Sequence, residues 1–181
     1  MNHTQFFYHH GWGHDDTDHN LHHLQDLTCF NRGYFRPAEY SYFLHKKKRV
    51  GIVHSLGLHL FPKKLIQKLD ALIIVSSFDS LSKNNLDRLE WIKILAMQKK
   101  LKRDPDSVLK SFWQISFPSR NTKLLYNLPL LESDLKRLYQ EPCDLSHLNK
   151  IPSITIIHGI HDRIIPFSQA ERLHTTLPQS H

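Results

Sequence analysis

The stretch Val50-Gly51-Ile52-Val53-His54-Ser55-Leu56-Gly57 decides the fold. Its first four residues are apolar on both faces of a strand, the pattern of a buried parallel strand. Such a strand, running straight into His-Ser-Leu-Gly and then a helix, predicts a tight strand-to-helix turn. That turn pushes Ser55 out at the top of the sheet, where its Oγ can attack a carbonyl. Gly57, two residues on, leaves room where a Cβ would strike the neighbouring strand. The Leu56 backbone N–H then points at the attacked carbonyl oxygen and stabilises the developing oxyanion.

Outward from this turn, Phe6-Phe7-Tyr8-His9 reads as a strand entering the turn His10-Gly11-Trp12-Gly13. That turn is placed to supply a second oxyanion donor, the Trp12 N–H. Leu27-Thr28-Cys29-Phe30 is another strand, stopped by Asn31-Arg32-Gly33, and Asp70-Ala71-Leu72-Ile73-Ile74-Val75 is a buried one. The segments between them are long enough for crossover helices, the signature of a parallel α/β sheet. From about Ser80 the apolar spacing turns helical, through Leu86, Leu89, Ile92 and Ala96. Asp104-Pro105 supplies an N-cap and a first-turn proline for a second helix, and Ser133 a cap for a third. The strand pattern returns at 153–159, and Ser168-Gln169-Ala170-Glu171 reads as a capping box opening a helix to about Thr176. Pro62 falls inside the helix that follows Ser55 and should kink or restart it. The expected organisation is an α/β core of residues 1–79 and 151–181, with a helical cap at 80–150.

Composition narrows the function classes. At 40% hydrophobic and 23% charged, the 181 residues make a globular mixture rather than a disordered chain. No apolar run approaches the ~18–20 residues of a membrane-spanning helix, and Met1-Asn2-His3-Thr4-Gln5 lacks the pattern of a signal peptide. Two cysteines, Cys29 and Cys143, suit a reducing cytoplasm. The formal charge is +7, and residues 80–150 hold 13 Lys/Arg against 8 Asp/Glu, concentrating it on the cap. Lys99, Lys100, Lys102 and Arg103 crowd the end of one cap helix. This favours an acidic partner, and no recognition motif accompanies the charge to suggest nucleic acid. His10, His14, Asp15, Asp16, Asp18, His19, His22 and His23 offer metal-ligand types, but no second cluster completes a constellation. They read as a solvated helix face, and no metal or organic cofactor is implied. Trp91, Phe112, Trp113 and Phe117 should pack the cap, with one or two lining a tunnel.

Taken together, HGWG, NRGYF, VHSLG and HGIHDRIIP resemble the α/β-hydrolase superfamily over the span from about Phe6 onward. Within it, His-Gly-Trp-Gly with a helical cap is most similar to the pimeloyl-[acyl-carrier protein] methyl ester esterases of biotin synthesis. The resemblance implies serine carboxyl-ester hydrolysis through an acyl-enzyme, with Ser55 as nucleophile and Asp162 as the acid that orients a histidine. It also implies that the basic cap docks an acyl carrier protein. A general carboxylesterase or thioesterase, and a non-catalytic remnant, are the alternatives. Val53 departs from the pattern, which has a small residue two positions before the serine. The resemblance further requires a strand and a histidine loop after the 168–176 helix. His181 falls ahead of that strand, and nothing in Leu177-Pro178-Gln179-Ser180-His181 matches the loop. The reading is therefore of a fold incomplete at its C-terminus, short of its general base.

Overall fold

The computed structural model describes residues 4–82, 88–116, 125–140 and 142–181. Met1, Asn2, His3, Leu86 and Phe117, invoked above, lie outside the described residues. Five parallel strands form one sheet: β1 (Thr4–His9), β2 (Leu27–Phe30), β3 (Lys48–His54), β4 (Ala71–Val75) and β5 (Ser153–Ile157). Their order is β2-β1-β3-β4-β5. The strand carrying Ser55 at its end is therefore central, with β1 and β4 bonded on either side. Burial on both faces explains its composition, since Val50, Gly51, Ile52 and Val53 are all buried. At Gly51 a Cβ would meet Leu69 at 2.7 Å and Leu72 at 2.9 Å, so the helix-side layer sits directly on the sheet there.

After the turn, α1 (Gly57–Leu60) is a single turn, and α2 (Lys63–Ile66) restarts beyond Pro62, which is its N-cap. The proline has no N–H to donate and so divides the run. Phe61, Leu65 and Ile66 nevertheless enter the main core with Phe7, Phe30, Val53, Leu72, Ile74 and Ile154.

Among the described residues between β4 and β5 are the α-helices α3 (Arg88–Leu101), α4 (Pro105–Ser116) and α5 (Leu128–Gln140). They close a second apolar cluster around Trp12, Leu56, Phe78, Leu101, Leu109, Trp113, Leu131 and Leu135. Asp104 caps α4, its Oδ1 accepting from the Ser107 N–H at 3.1 Å. Asp134 on α5 is buried, and it accepts from Arg32 at 2.6 and 2.9 Å and from the Tyr34 hydroxyl at 2.8 Å. These bonds tie α5 to the loop after β2. Beyond β5, α6 (Ser168–Thr176) returns Leu173 to the main core. No helix among the described residues is long and apolar enough to cross a membrane.

Several expectations are corrected. Residues 10–26 and 31–47 connect their strands through turns and loops rather than crossover helices. The histidine-rich stretch is accordingly no helix face: His14 is buried, and the His19 ring packs edge-on against Tyr8. Among the described residues no group of three or more His, Cys, Asp or Glu is placed to hold a metal ion. Ser133 lies inside α5, whose cap is Asn127: its Oδ1 accepts from the Leu130 N–H at 3.2 Å. An asparagine one residue before the run does what a capping serine would, and the helix starts a turn earlier. Phe167, with no side-chain cap bond, occupies the N-cap of α6, so Ser168-Gln169-Ala170-Glu171 is not a capping box. Finally, Ser180 pairs in parallel with Ile154, and His181 donates to Ile154 O at 3.1 Å while accepting from the Ile156 N–H at 2.8 Å. The backbone is thus already alongside β5 at His181, whose ring meets the Thr155 hydroxyl at 3.0 Å.

Candidate active site

The β3–β4 ladder runs to His54↔Val75, and the Ser55 N–H still donates to Val75 O at 3.0 Å. There the chain reverses. Ser55 takes φ +53°, the left-handed region that a side chain enters only under local compulsion. Two glycines let the bend pack closely against the end of β1 and the turn that follows it. A Cβ on Gly57 would collide with the carbonyl oxygen of His9, so only glycine lets α1 descend against β1. Just past the end of β1, a Cβ on Gly11 would stand 2.9 Å from the Ser55 Cβ. The Ser77 hydroxyl donates to Ser55 O at 2.7 Å and braces the bend from the loop after β4.

Trp12, Ser55 and Asp162 line one cavity of about 380 Å³. The rest of its wall is mostly apolar and comes largely from the inserted helices, including Ile94, Met97, Val108, Phe112, Ile115, Leu135 and Leu138. Lys93, Lys100 and Arg163 bring positive charge to it. Of the four cap aromatics named from sequence, Phe112 lines the cavity, while Trp113 is buried in the second cluster and Trp91 packs edge-on against Tyr139. A second, more polar cavity of about 300 Å³ shares Trp12, Ser55 and Asp162 and adds His14, His54, Ser76 and His161.

Leu56 follows Ser55 into the turn and buries its side chain completely. Among the described residues, neither the Trp12 nor the Leu56 backbone N–H donates to a protein acceptor. Two main-chain donors beside the serine are therefore left unspent.

Asp162 is half-buried in the turn after β5. Its Oδ1 accepts from the Ile164 N–H at 2.8 Å and the Ile165 N–H at 2.9 Å. Oδ2 lies 3.8 Å from His158 Nε2, which itself donates to Ile165 O at 2.9 Å. Asp162, the acid expected from the resemblance, lines the same cavity as Ser55, and its amide cradle depends on the fold of 162–165 rather than on residue type.

Burial favours the neutral form of three histidines near the site, His54, His9 and His10. Burial pulls the His54 pKa down to about 4; His14 pushes the same way and Asp162 opposes it. His9 is also brought to about 4 by burial, and His10 is lowered well below its ordinary value by burial and then by His9. Hydrogen bonds fix both tautomers. His9 Nδ1–H donates to His10 O at 2.9 Å and Nε2 takes the Tyr40 hydroxyl at 3.0 Å. His10 Nδ1–H donates to Gly11 O at 2.8 Å and Nε2 accepts the Arg32 N–H at 3.0 Å. These rings anchor the turn 10–13. Only its place beside Ser55 marks His54 in the sequence, since its cavity partners His14, His161 and Asp162 are remote in the chain. Among the described residues, no imidazole hydrogen-bonds to Ser55 Oγ.

Solved structures with the same architecture span nearly the whole chain. A hydrolase from Oleispira antarctica aligns with a TM-score of 0.73 at 10% identity, covering 100% of this chain and 82% of that one. An alpha/beta fold family hydrolase from Bacillus anthracis gives 0.67 at 10% identity over 98% and 82%. A lipase-esterase related protein from Clostridium acetobutylicum gives 0.59 at 14% identity over 99% and 84%. With the parallel sheet and its inserted helices, these likenesses show the α/β-hydrolase fold. No protein-family model matches the sequence, and no curated protein matches it.

Proposed function

We propose that the chain is a serine carboxyl-ester hydrolase in which Ser55 attacks the ester carbonyl to form an acyl-enzyme. The observation that carries the reading is the strained left-handed backbone of Ser55 at the end of the central strand. Strain of this kind clusters at functional sites. The oxyanion that forms on attack faces the Trp12 and Leu56 N–H groups, and Asp162 is the carboxylate of the site. The apolar cavity takes the acyl chain, and Lys93, Lys100 and Arg163 favour an acidic carrier at its mouth. A pimeloyl-carrier-protein methyl ester, from the resemblance to the esterases of biotin synthesis, combines these features. The hydrolase, esterase and lactonase names borne by structures of this fold agree with ester chemistry in general.

Proton removal from Ser55 is the weak step. Without an imidazole bonded to Oγ, the hydroxyl keeps an alcohol's high pKa and is a poor nucleophile. A site reduced to its oxyanion donors and binding groups retains ~10³–10⁴-fold catalysis over water. Slow turnover is therefore expected. The same observation favours a second reading, a binding protein that keeps the basic cap and cavity but does no chemistry.

A fluorophosphonate probe followed by peptide mapping separates the two. Labelling at Ser55 that disappears in Ser55→Ala supports the hydrolase; an unreactive Ser55 supports the binding protein. Turnover of pimeloyl-carrier methyl ester against p-nitrophenyl butyrate then tests the substrate.

A further inference from the structure

We infer that the indoles of Trp12 and Trp113 are positioning residues, which clamp the 11–13 turn and its Trp12 backbone N–H to the inserted helices. Two hydrogen bonds run in opposite directions across this junction. From α4, Trp113 Nε1–H donates to Gly13 O at 2.7 Å. From the turn, Trp12 Nε1–H donates to Leu131 O on α5 at 2.8 Å. Both indoles are buried, at 3% and 7% exposure, so neither bond is diluted by competing water.

Packing reinforces the clamp. Gly13 has φ +67°, and a Cβ there would press on the Phe112 ring at 3.3 Å, so the turn lies flat against α4. Phe112 in turn meets the Trp12 ring edge-on at 5.1 Å. On its other side the turn touches Ser55 through Gly11. The segment is thus a single layer of backbone held between the serine and the inserted helices. The Asp134 bonds to Arg32 and Tyr34 fix α5 independently, so Leu131 O is a firm anchor. A displacement of α4 or α5 is passed to the Trp12 N–H with nothing between to absorb it. Sequence reading assigned the Trp12 role to its backbone alone; here the side chain sets where that backbone sits.

The catalytic consequence rests on the ester-hydrolase reading, while the mechanical one does not. Oxyanion donors act by preorganisation, and a misplacement of about 1 Å can cost ~10²-fold in rate. The experiment replaces Trp113 with β-(3-benzothienyl)alanine, which keeps the bicyclic ring and lacks the N–H, alongside Trp113→Phe and Trp12→Phe in the full chain. Amide hydrogen exchange of residues 10–14 is followed by mass spectrometry. The rate of Ser55 phosphonylation, and kcat and KM on p-nitrophenyl butyrate, are measured in parallel. The isostere is expected to speed exchange of 10–14 about tenfold, with exchange in β3 unchanged. It should lower phosphonylation and kcat about tenfold or more, with KM within twofold. Unchanged exchange at 10–14 in the isostere overturns the clamp, whatever the activity. Faster exchange with unchanged kcat, in a protein that does turn over, overturns the positioning role. If the natural chain does not react at Ser55, the hydrolase reading fails, and the exchange data still decide the clamp.

Discussion

The Cβ that any residue but glycine would carry at position 11 falls 2.9 Å from the Cβ of Ser55. Gly57 packs on the same segment from within the bend, where an added Cβ strikes His9 O. The two glycines make different demands. Gly57→Ala forces backbone apart between α1 and β1, and is expected to cost about 1–3 kcal/mol of stability. Gly11→Ala pushes on a turn and on a side chain that faces a cavity, so it should cost less stability while blocking Ser55. Thermal unfolding and fluorophosphonate labelling of the two variants measure both effects. Equal stability loss with Ser55 reactivity retained in Gly11→Ala would contradict the contact.

Strain at Ser55 yields a prediction of unusual sign. At an ordinary position glycine is less stable than alanine, because the unfolded chain gains freedom. At φ +53° alanine keeps the left-handed penalty and glycine escapes it. Ser55→Gly is therefore expected to match or exceed Ser55→Ala in stability, by up to about 1 kcal/mol, with labelling lost in both. Urea unfolding of the pair decides it; an alanine variant clearly more stable than the glycine variant means the bend stores no strain.

What the sequence showed and what it hid divide along physical lines. A buried parallel strand is written as a local apolar run, so the centre of β3 is legible residue by residue, and the edge strand Leu27–Phe30, only partly buried, is marked by the turn residues after it. Gly57 and Pro62 were legible because each acts through its own backbone. Contacts between distant segments left no local mark: the Asn127 cap displaced the expected Ser133, and Asp134 gave no hint of Arg32 and Tyr34 about a hundred residues away. The crossovers at 10–26 and 31–47 were misread as helical because length alone was the guide. Their backbone is instead held by side chains such as Asp15 and Asn31, whose carboxylate and amide oxygens accept the N–H groups of Thr17 and Gly33.

Acid should unfold this protein earlier than its net charge alone would. His9 and His54 ionise near pH 4 when folded and near their ordinary 6.5 when unfolded. Between those values the unfolded chain binds more protons, so stability rises with pH; it is complete above about 6.5 and lost as pH falls toward about 4. Each such histidine contributes up to about 1.4 kcal/mol per pH unit in that window. Unfolding free energies measured at intervals from pH 7 to 4 should show this slope, and His54→Gln should flatten it. An unchanged slope in His54→Gln would mean that His54 titrates alike in both states.

The Asp134 cluster offers the sharpest stability test, because its three members can be replaced separately. Asp134 is 1% exposed and satisfies Arg32 through two bonds and Tyr34 through one. Tyr34→Phe leaves the carboxylate still paired with Arg32, and should cost about 1 kcal/mol. Asp134→Ala strands a guanidinium and a buried hydroxyl together, and breaking such a pair costs about 3–5 kcal/mol. Arg32 keeps some access to water, with its side chain 24% exposed, which favours the lower end of that range. Arg32→Met with Asp134→Leu removes both charges at once, and should recover most of the loss, since the desolvation penalty disappears with them. A double-mutant cycle by urea unfolding, with Arg32→Met and Asp134→Leu as its single variants, isolates the coupling. Additive single and double losses would mean that the ion pair does not tie α5 to the loop after β2.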